Sequence, residues 1–244
     1  RAGSCYEKRE QAGLAHLLSE VITKGCEGLS NWEVAEQVES VGASLSADAG
    51  TDYSVLSLKT VTSDFGEILT LAGRILRSPT FPQDQVELEQ RLALQNIRSQ
   101  KEQPFSIAFS QMRQVIYQNH PYAMSILGDE TTMSGLTRDD LVQYHQTHFR
   151  PDNLVISIAG RITLEDAVKL VEQVFGDWQI PPEALPLVDL PVVKAEPQHR
   201  LQPFKTQQSI VMLGYLGSSV TSPDYAPLKL LLSPQFKGFN SAFR

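Results

Sequence analysis

The chain has 244 residues, 41% of them hydrophobic and 20% charged, with a formal net charge of -7 at neutral pH. That is enough apolar material for a sizeable core, in one large domain or in one domain and part of another. The acidic balance argues against nucleic acid or an anionic membrane surface as the main partner. No apolar run approaches the roughly 20 residues of a membrane-spanning helix. The two cysteines, Cys5 and Cys26, form neither a CxxC pair nor a disulfide framework, and are expected to be buried structural thiols.

Residues 1–6 read as the tail of a strand, and 7–11 as the turn into a first helix. Leu14, Leu17, Leu18, Val21 and Ile22 then recur at the spacing of a helix buried along one side. Thr23-Lys24-Gly25 closes it, with a cation in the last turn and a glycine as left-handed cap. His16 and Glu20 stand one turn apart on the opposite face, where two side chains can point together into a cleft.

Ser30 and Glu33 form a capping-box pattern ahead of a helix that turns Val34, Val38 and Val41 inwards and ends at Gly42. Over residues 44–62 the period changes to two, which predicts a hairpin with its turn at 48–52 and a second strand at 53–61. Helical spacing returns over 64–77 until Pro79 and Pro82 break it. A long polar helix follows from 83 to about 101, then a helix over 105–117 and a loop over 120–128. Thr137, with Asp139 and Asp140 in the first turn, caps a helix that ends before Arg150-Pro151. Residues 153–159 read as an apolar strand, and Thr163 caps a helix over 164–175.

The order of elements predicts an α+β fold, with a mixed, mainly antiparallel sheet and packed helices. Residues 180–204 are rich in proline and read as a linker. A strand over 208–217 and a helix from Ser222-Pro223-Asp224-Tyr225 to Leu232 come after it. Residues 209–231 faintly echo the strand-then-helix of 53–76. The expected organisation is a first domain over 1–179, a linker over 180–204, and the beginning of a second, similar domain over 205–244.

Gly13-Leu14-Ala15-His16-Leu17-Leu18, followed by Lys24-Gly25, resembles the first helix of the insulinase and mitochondrial-processing-peptidase family of zinc peptidases. The runs from Thr137 to Leu141 and from Phe149 to Leu154, with Gly160, resemble that family too, so the matches cover most of residues 1–178 in order. Active members carry His-x-x-Glu-His on the first helix: two histidines bind zinc, and the glutamate acts as general base on the metal-bound water. The resemblance implies that His16 keeps the first ligand position, that Ser19 stands in place of the base, and that Glu20 replaces the second ligand. It implies that Glu89 is the family's accessory carboxylate and that Asn96 replaces the third ligand; the alternative for Glu89 is one charge among others on a polar helix that also carries Glu87 and Arg91. A serine takes no proton from zinc-bound water near neutral pH, and asparagine is a poor zinc ligand.

The resemblance therefore implies a subunit with no catalytic residue and no metal of its own. It would partner an active zinc-bearing homologue in a heterodimer that handles extended peptides, with the zinc in that partner. Two alternatives stand beside it: a structural core subunit of a larger assembly, such as a respiratory cytochrome bc complex, and a metalloendopeptidase with an altered site using His16 and Glu20. The opening residues resemble the end of the family's first strands, so the first domain is expected to lack its first strand. The expected setting is soluble, in a bacterial cytoplasm or periplasm rather than an organelle matrix. His145 and His148, three apart on one helix, are expected at the surface or the helix end, and His120 in a loop. Lys237 to Ser241 falls where the family has a glycine-rich, substrate-handling segment, of which only Gly238 is present.

Overall fold

In the computed structural model, which describes residues 1–194 and 196–231, helix α1 (Leu14–Ile22) has seven of its nine residues buried. Leu17, Leu18 and Val21 are fully enclosed. Their stripe packs against strand β1 (Ser44–Ala49), helix α4 (Gln83–Glu102) and helix α7 (Arg138–His148), and these elements supply most of the core.

The start of α1 is built without a cap of its own. Gly13, at the N-cap, has a φ of +101° and no side chain to offer. Glu7 reaches in from the preceding turn instead, and its carboxylate accepts from the N–H groups of Gly13 (2.9 Å) and Ala15 (2.6 Å). An acceptor there satisfies two of the helix's free donors and lies at the positive end of its dipole. Burial nevertheless pushes Glu7 up to about 7, against the pull of those two bonds. At the other end the helix closes on Thr23, with Lys24 N–H bonded to Val21 C=O, rather than on Gly25 as the sequence suggested. Gly25 lies two residues beyond Thr23, where a Cβ would crowd the Thr80 hydroxyl.

Strand β2 (Ser54–Lys59) pairs antiparallel with β1, in a register running from Ser44 opposite Lys59 to Ala49 opposite Ser54. The hairpin read from the alternation is borne out. Helix α2 (Asn31–Glu39) has the Ser30–Glu33 capping box, and α7 and α8 (Leu164–Phe175) are capped by Thr137 and Thr163 as expected. Helices α3 (Phe65–Arg77), α4, α5 (Pro104–Tyr117) and α9 (Tyr225–Leu231) also fall within a few residues of their expected bounds. Helix α6 (Glu130–Gly135) was not foreseen, although Asp129 caps it by accepting from Thr131 and Thr132.

Three expected strands are absent from the ladder. Residues 4–6 form a 3-10 turn, held to the hairpin by Ser4 and Cys5 N–H groups donating to the carbonyls of Gly50 and Thr51. Residues 153–159 and 208–217 carry no strand pairing, and the described residues contain one sheet, of two strands. An apolar stretch becomes a strand only where another backbone edge comes within reach, and 153–159 faces β2 across open space. The α+β class itself stands: a small antiparallel sheet against packed helices. Residues 178–224 contain no helix or strand where they are described, and Lys237 to Ser241 lies outside the described residues.

Helices α3 and α8 form an outer pair. Gly73 lets Val174 approach the α3 backbone so closely that a Cβ would collide with it. Arg77 locks the pair, donating to Val174 C=O at 3.0 Å and forking onto Asp177 at 2.6 and 3.1 Å. Gly73→Ala should therefore cost about 1–3 kcal/mol through overpacking against a stiff valine, read as a lowered denaturant midpoint.

Glu7 gives a pH prediction. A carboxyl raised above its unfolded value contributes stability that is present below the unfolded pKa and lost as pH rises through about 7. Glu7→Gln lacks this loss. Its unfolding free energy relative to the parent should rise by about 3 kcal/mol between pH 5 and pH 8; a flat difference across paired denaturant titrations would contradict the assignment.

Candidate functional site

The apolar stripe of α1 faces the core, so the opposite face carries His16 and Glu20, with Asp48 of β1 and Glu89 of α4 near enough to act on His16. His16 Nδ1 lies 3.9 Å from Glu20 Oε1, close enough for attraction but too far for a hydrogen bond. The histidine is mostly covered and the glutamate half exposed. Burial pushes the imidazole below its ordinary value, against the opposing influence of Glu20, Asp48 and Glu89. His16 is thus held towards its neutral form among three carboxylates.

Ser19 is buried, and its hydroxyl donates to the carbonyl of His16 at 2.7 Å. It is spent on its own helix and accepts no proton. Glu89, expected as one charge on a polar surface, is instead buried at 8% exposure. The reason is Lys24, whose ammonium reaches across from the end of α1 to Glu89 Oε1 at 3.1 Å. Asn96 is exposed on α4, two turns further along. The sequence reading gave Lys24 only a helix-end role and missed Asp48. The spacing of Glu20 to Lys24 is a one-turn signal that could have placed the lysine on the His16 face.

Does this donor set fit a zinc ion? It offers one imidazole and the half-exposed Glu20, while Glu89 is committed to an ammonium and Ser19 to a carbonyl. Zinc asks for at least three nitrogen, sulfur or carboxylate ligands converging at about 2.0–2.3 Å. Among the described residues no group of three or more His, Cys, Asp and Glu converges in that way. The residues do not fit the metal, and no reaction step is derived through it.

His145 and His148 stand in the last turn of α7, the helix end where they were expected, but they are buried rather than at the surface, because α7 turns that face inward against α1 and the chain's first residues. His145 Nε2 is 2.9 Å from Leu76 C=O with its ring against Phe81 and Phe149, and His148 Nδ1 is 3.1 Å from Arg1 C=O. Burial lowers both pKa values. His120 is a loop residue as expected, buried, its Nδ1 accepting from Tyr122 N–H. Cys5 and Cys26 are buried free thiols, with Cys5 pushed up to about 11 chiefly by burial and Cys26 raised for the same reason. Neither has the depressed pKa that a nucleophile needs.

Two family models match this chain. One, described as Insulinase (Peptidase family M16), matches residues 1–130; the other, described as Peptidase M16 inactive domain, matches 135–234. An uncharacterized zinc protease of Bacillus subtilis is 28% identical over 218 residues, covering 89% of this chain and 52% of that one. A probable mitochondrial-processing peptidase subunit beta of Schizosaccharomyces pombe is 30% identical over 186 residues, covering 76% and 41%. Among solved structures, a peptidase M16 inactive domain from Pseudomonas fluorescens superposes with a TM-score of 0.72 at 25% identity, covering 79% of this chain and 46% of that one. A protease from Helicobacter pylori shares the fold, with a TM-score of 0.72 at 20% identity, covering 78% and 46%. The chain spans about half the length of these relatives. With one of its models covering more than half of these residues, the family is settled: this chain belongs to the insulinase family of peptidases, family M16.

Proposed function

We propose that this chain is a non-catalytic subunit of a processing peptidase, pairing with a zinc-bearing homologue and helping it to handle extended peptides. The observation that carries the reading is the state of the helix face that bears His16. Ser19 is bonded to its own helix, and Lys24 neutralises the buried Glu89. His16, Ser19, Glu20 and Asn96 are vestigial positions in this reading, and Glu89 is an accessory carboxylate now serving the fold. Relatives named zinc proteases associate zinc with the family, and the zinc would reside in the partner. A relative named as subunit beta of mitochondrial-processing peptidase supports assembly with another chain.

Peptide handling has a physical basis beside the same face. Among the described residues strand β1 pairs on one side only, with β2, and it packs on α1, with Asp48 near His16. The open edge can take an extended peptide by strand addition, in which backbone bonds give affinity and alternate side chains give selectivity. The domain division goes with this reading: 1–179 as the peptidase-like unit, 180–204 as linker, and 205–244 as the beginning of a second unit. So does a bacterial setting, in cytoplasm or periplasm. No described helix is long and apolar enough to cross a membrane.

The test is zinc content by elemental analysis together with cleavage of an unstructured basic peptide, with and without the zinc-motif homologue. The chain alone should hold no stoichiometric zinc and cleave nothing, and adding it should speed the homologue's cleavage by about tenfold or more, a gain of at least ~1.4 kcal/mol in transition-state stabilisation. One zinc per chain, with activity lost in His16→Ala, would mean an altered but working metalloendopeptidase. Association with membrane subunits without any effect on cleavage would favour a structural core subunit.

The Lys24–Glu89 pair gives a separate prediction. Lys24→Met strands a buried carboxylate and should cost about 2–4 kcal/mol, whereas Lys24→Met with Glu89→Leu should recover most of that loss. Equal losses in the single and double variants would show that the loss does not come from a stranded carboxylate.

A further inference from the structure

After α8 the chain is pinned by two arginines in turn. Arg77 at the end of α3 forks onto Asp177 and donates to Val174 C=O, and its guanidinium lies 6.0 Å from the centre of the Trp178 ring, which stacks on Phe175. Arg150, just past the end of α7, holds the residues that follow. Its Nη1 donates to Glu183 C=O at 2.7 Å and its Nη2 to Pro181 C=O at 3.4 Å.

Arg150 is prepared for this contact from its own side. It is buried at 5% exposure. Asp152 accepts from its Nε at 2.6 Å and from its Nη2 at 2.9 Å, which sets the plane of the guanidinium. A guanidinium keeps its charge in a protein, and its donors need acceptors where water is excluded. The carbonyls of Pro181 and Glu183 supply them. Pro181 and Pro182 fix φ at about −65°, so this segment has little backbone freedom to lose when it is held.

Beyond Glu183 the ties stop. Apart from a bond between Gln179 and Asp177, Arg150 makes the only hydrogen bonds that reach 179–201 among the described residues. Leu187 and Val192 stand 88% and 86% exposed, and Pro186, Pro191 and Pro197 recur through the run. The next tie is at Gln202, whose side chain accepts from Gln111 of α5 at 3.1 Å. The stretch that opens with two prolines is thus held at its start and bare along its middle, and one buried side chain makes the difference.

We propose that Arg150 is a latch: it straps residues 181–183 onto the end of α7, so that the linker pivots at Ala184, and opening the latch moves the pivot back to Gln179. The first unit ends at Glu183 while the latch is closed and at Trp178, under Arg77, when it is open. Opening releases about five residues and extends the linker's reach by up to ~17 Å. The latch therefore sets the point from which the chain beyond Ala184 departs and how far it can travel. The inference takes only the linker's approximate bounds from the proposed function and does not depend on the His16 face, so the two can fail separately.

The Glu183 carbonyl is itself the scissile carbonyl for a protease that cuts after glutamate, and it can enter that protease's oxyanion hole only after leaving Arg150. Cleavage between Glu183 and Ala184 should be at least ~10-fold slower in the full chain than in a peptide of residues 178–188. Arg150→Lys, which lacks the fork needed to serve Asp152 and two carbonyls together, should restore at least ~10-fold. Tryptic cleavage after the exposed Arg200 should be equal in both forms, and the amides of α1 should keep their exchange protection. Spin labels on Gln146→Cys and Ala184→Cys, both at exposed positions, should give one narrow distance in the parent and a broad distribution in the variant. Arg150→Gln repeats both measurements, so that a folding defect in one variant does not decide the outcome. Cleavage of the parent at the peptide's rate, a broad distance in the parent, or protection that survives loss of the arginine each overturns the latch.

Discussion

The burial of α1 is the constraint from which the other features follow. Its leucine and valine stripe must be covered, and β1, α4 and α7 do so. Once that face is fixed, a helix of 3.6 residues per turn leaves no choice about where His16 and Glu20 point. The rotation is pinned at the N-terminus by Glu7, which holds two of the first backbone donors. A buried carboxylate is an expensive anchor for a helix, and its raised pKa measures the cost of keeping it out of water. One helix, packed on one side and clamped at one end, thereby sets where the polar face with His16 and Glu20 points.

On that surface, electrostatics decides what the residues can do. Glu89 on α4 faces α1 as a ligand or its neighbour would, yet an ammonium from the same chain satisfies it. Separating that pair would leave a charge stranded at low exposure, which costs several kcal/mol. His16 is kept towards neutrality by burial, in spite of three carboxylates nearby. On this surface Glu89 is paired with Lys24 and Ser19 is tied to backbone, and among the described residues it offers no convergent set of metal ligands.

The sheet is the counterpoint. A lone two-stranded hairpin is marginal in water, and this one holds because α1 and α3 pack against it. Its two outer edges differ. The edge of β1 lies next to the His16 face, whereas the edge of β2 opens onto the apolar slot floored by α1, α3 and α8.

The sequence by itself determined most of the local structure. The capping residues Ser30, Thr137 and Thr163 marked their helices, the change of period at Ser44 marked the hairpin, and the stripe on α1 marked the core. The motif around His16 pointed to the family before any fold was in view. These are short-range properties, written in spacing and in side chains that bond their own backbone. What the tertiary structure decided depends on which elements meet. Glu89 and Lys24 are far apart in sequence and only α1 against α4 joins them; His145 and His148 looked exposed until α7 turned them inward. Glu7 gave no sign of being the clamp on α1, and the apolar run of 153–159 could not by itself reveal that the neighbouring edge was out of reach. Charge pairing, burial and strand pairing are relations between distant segments, and their free energies are set by the partner and by the exclusion of water, neither of which a single stretch of sequence contains.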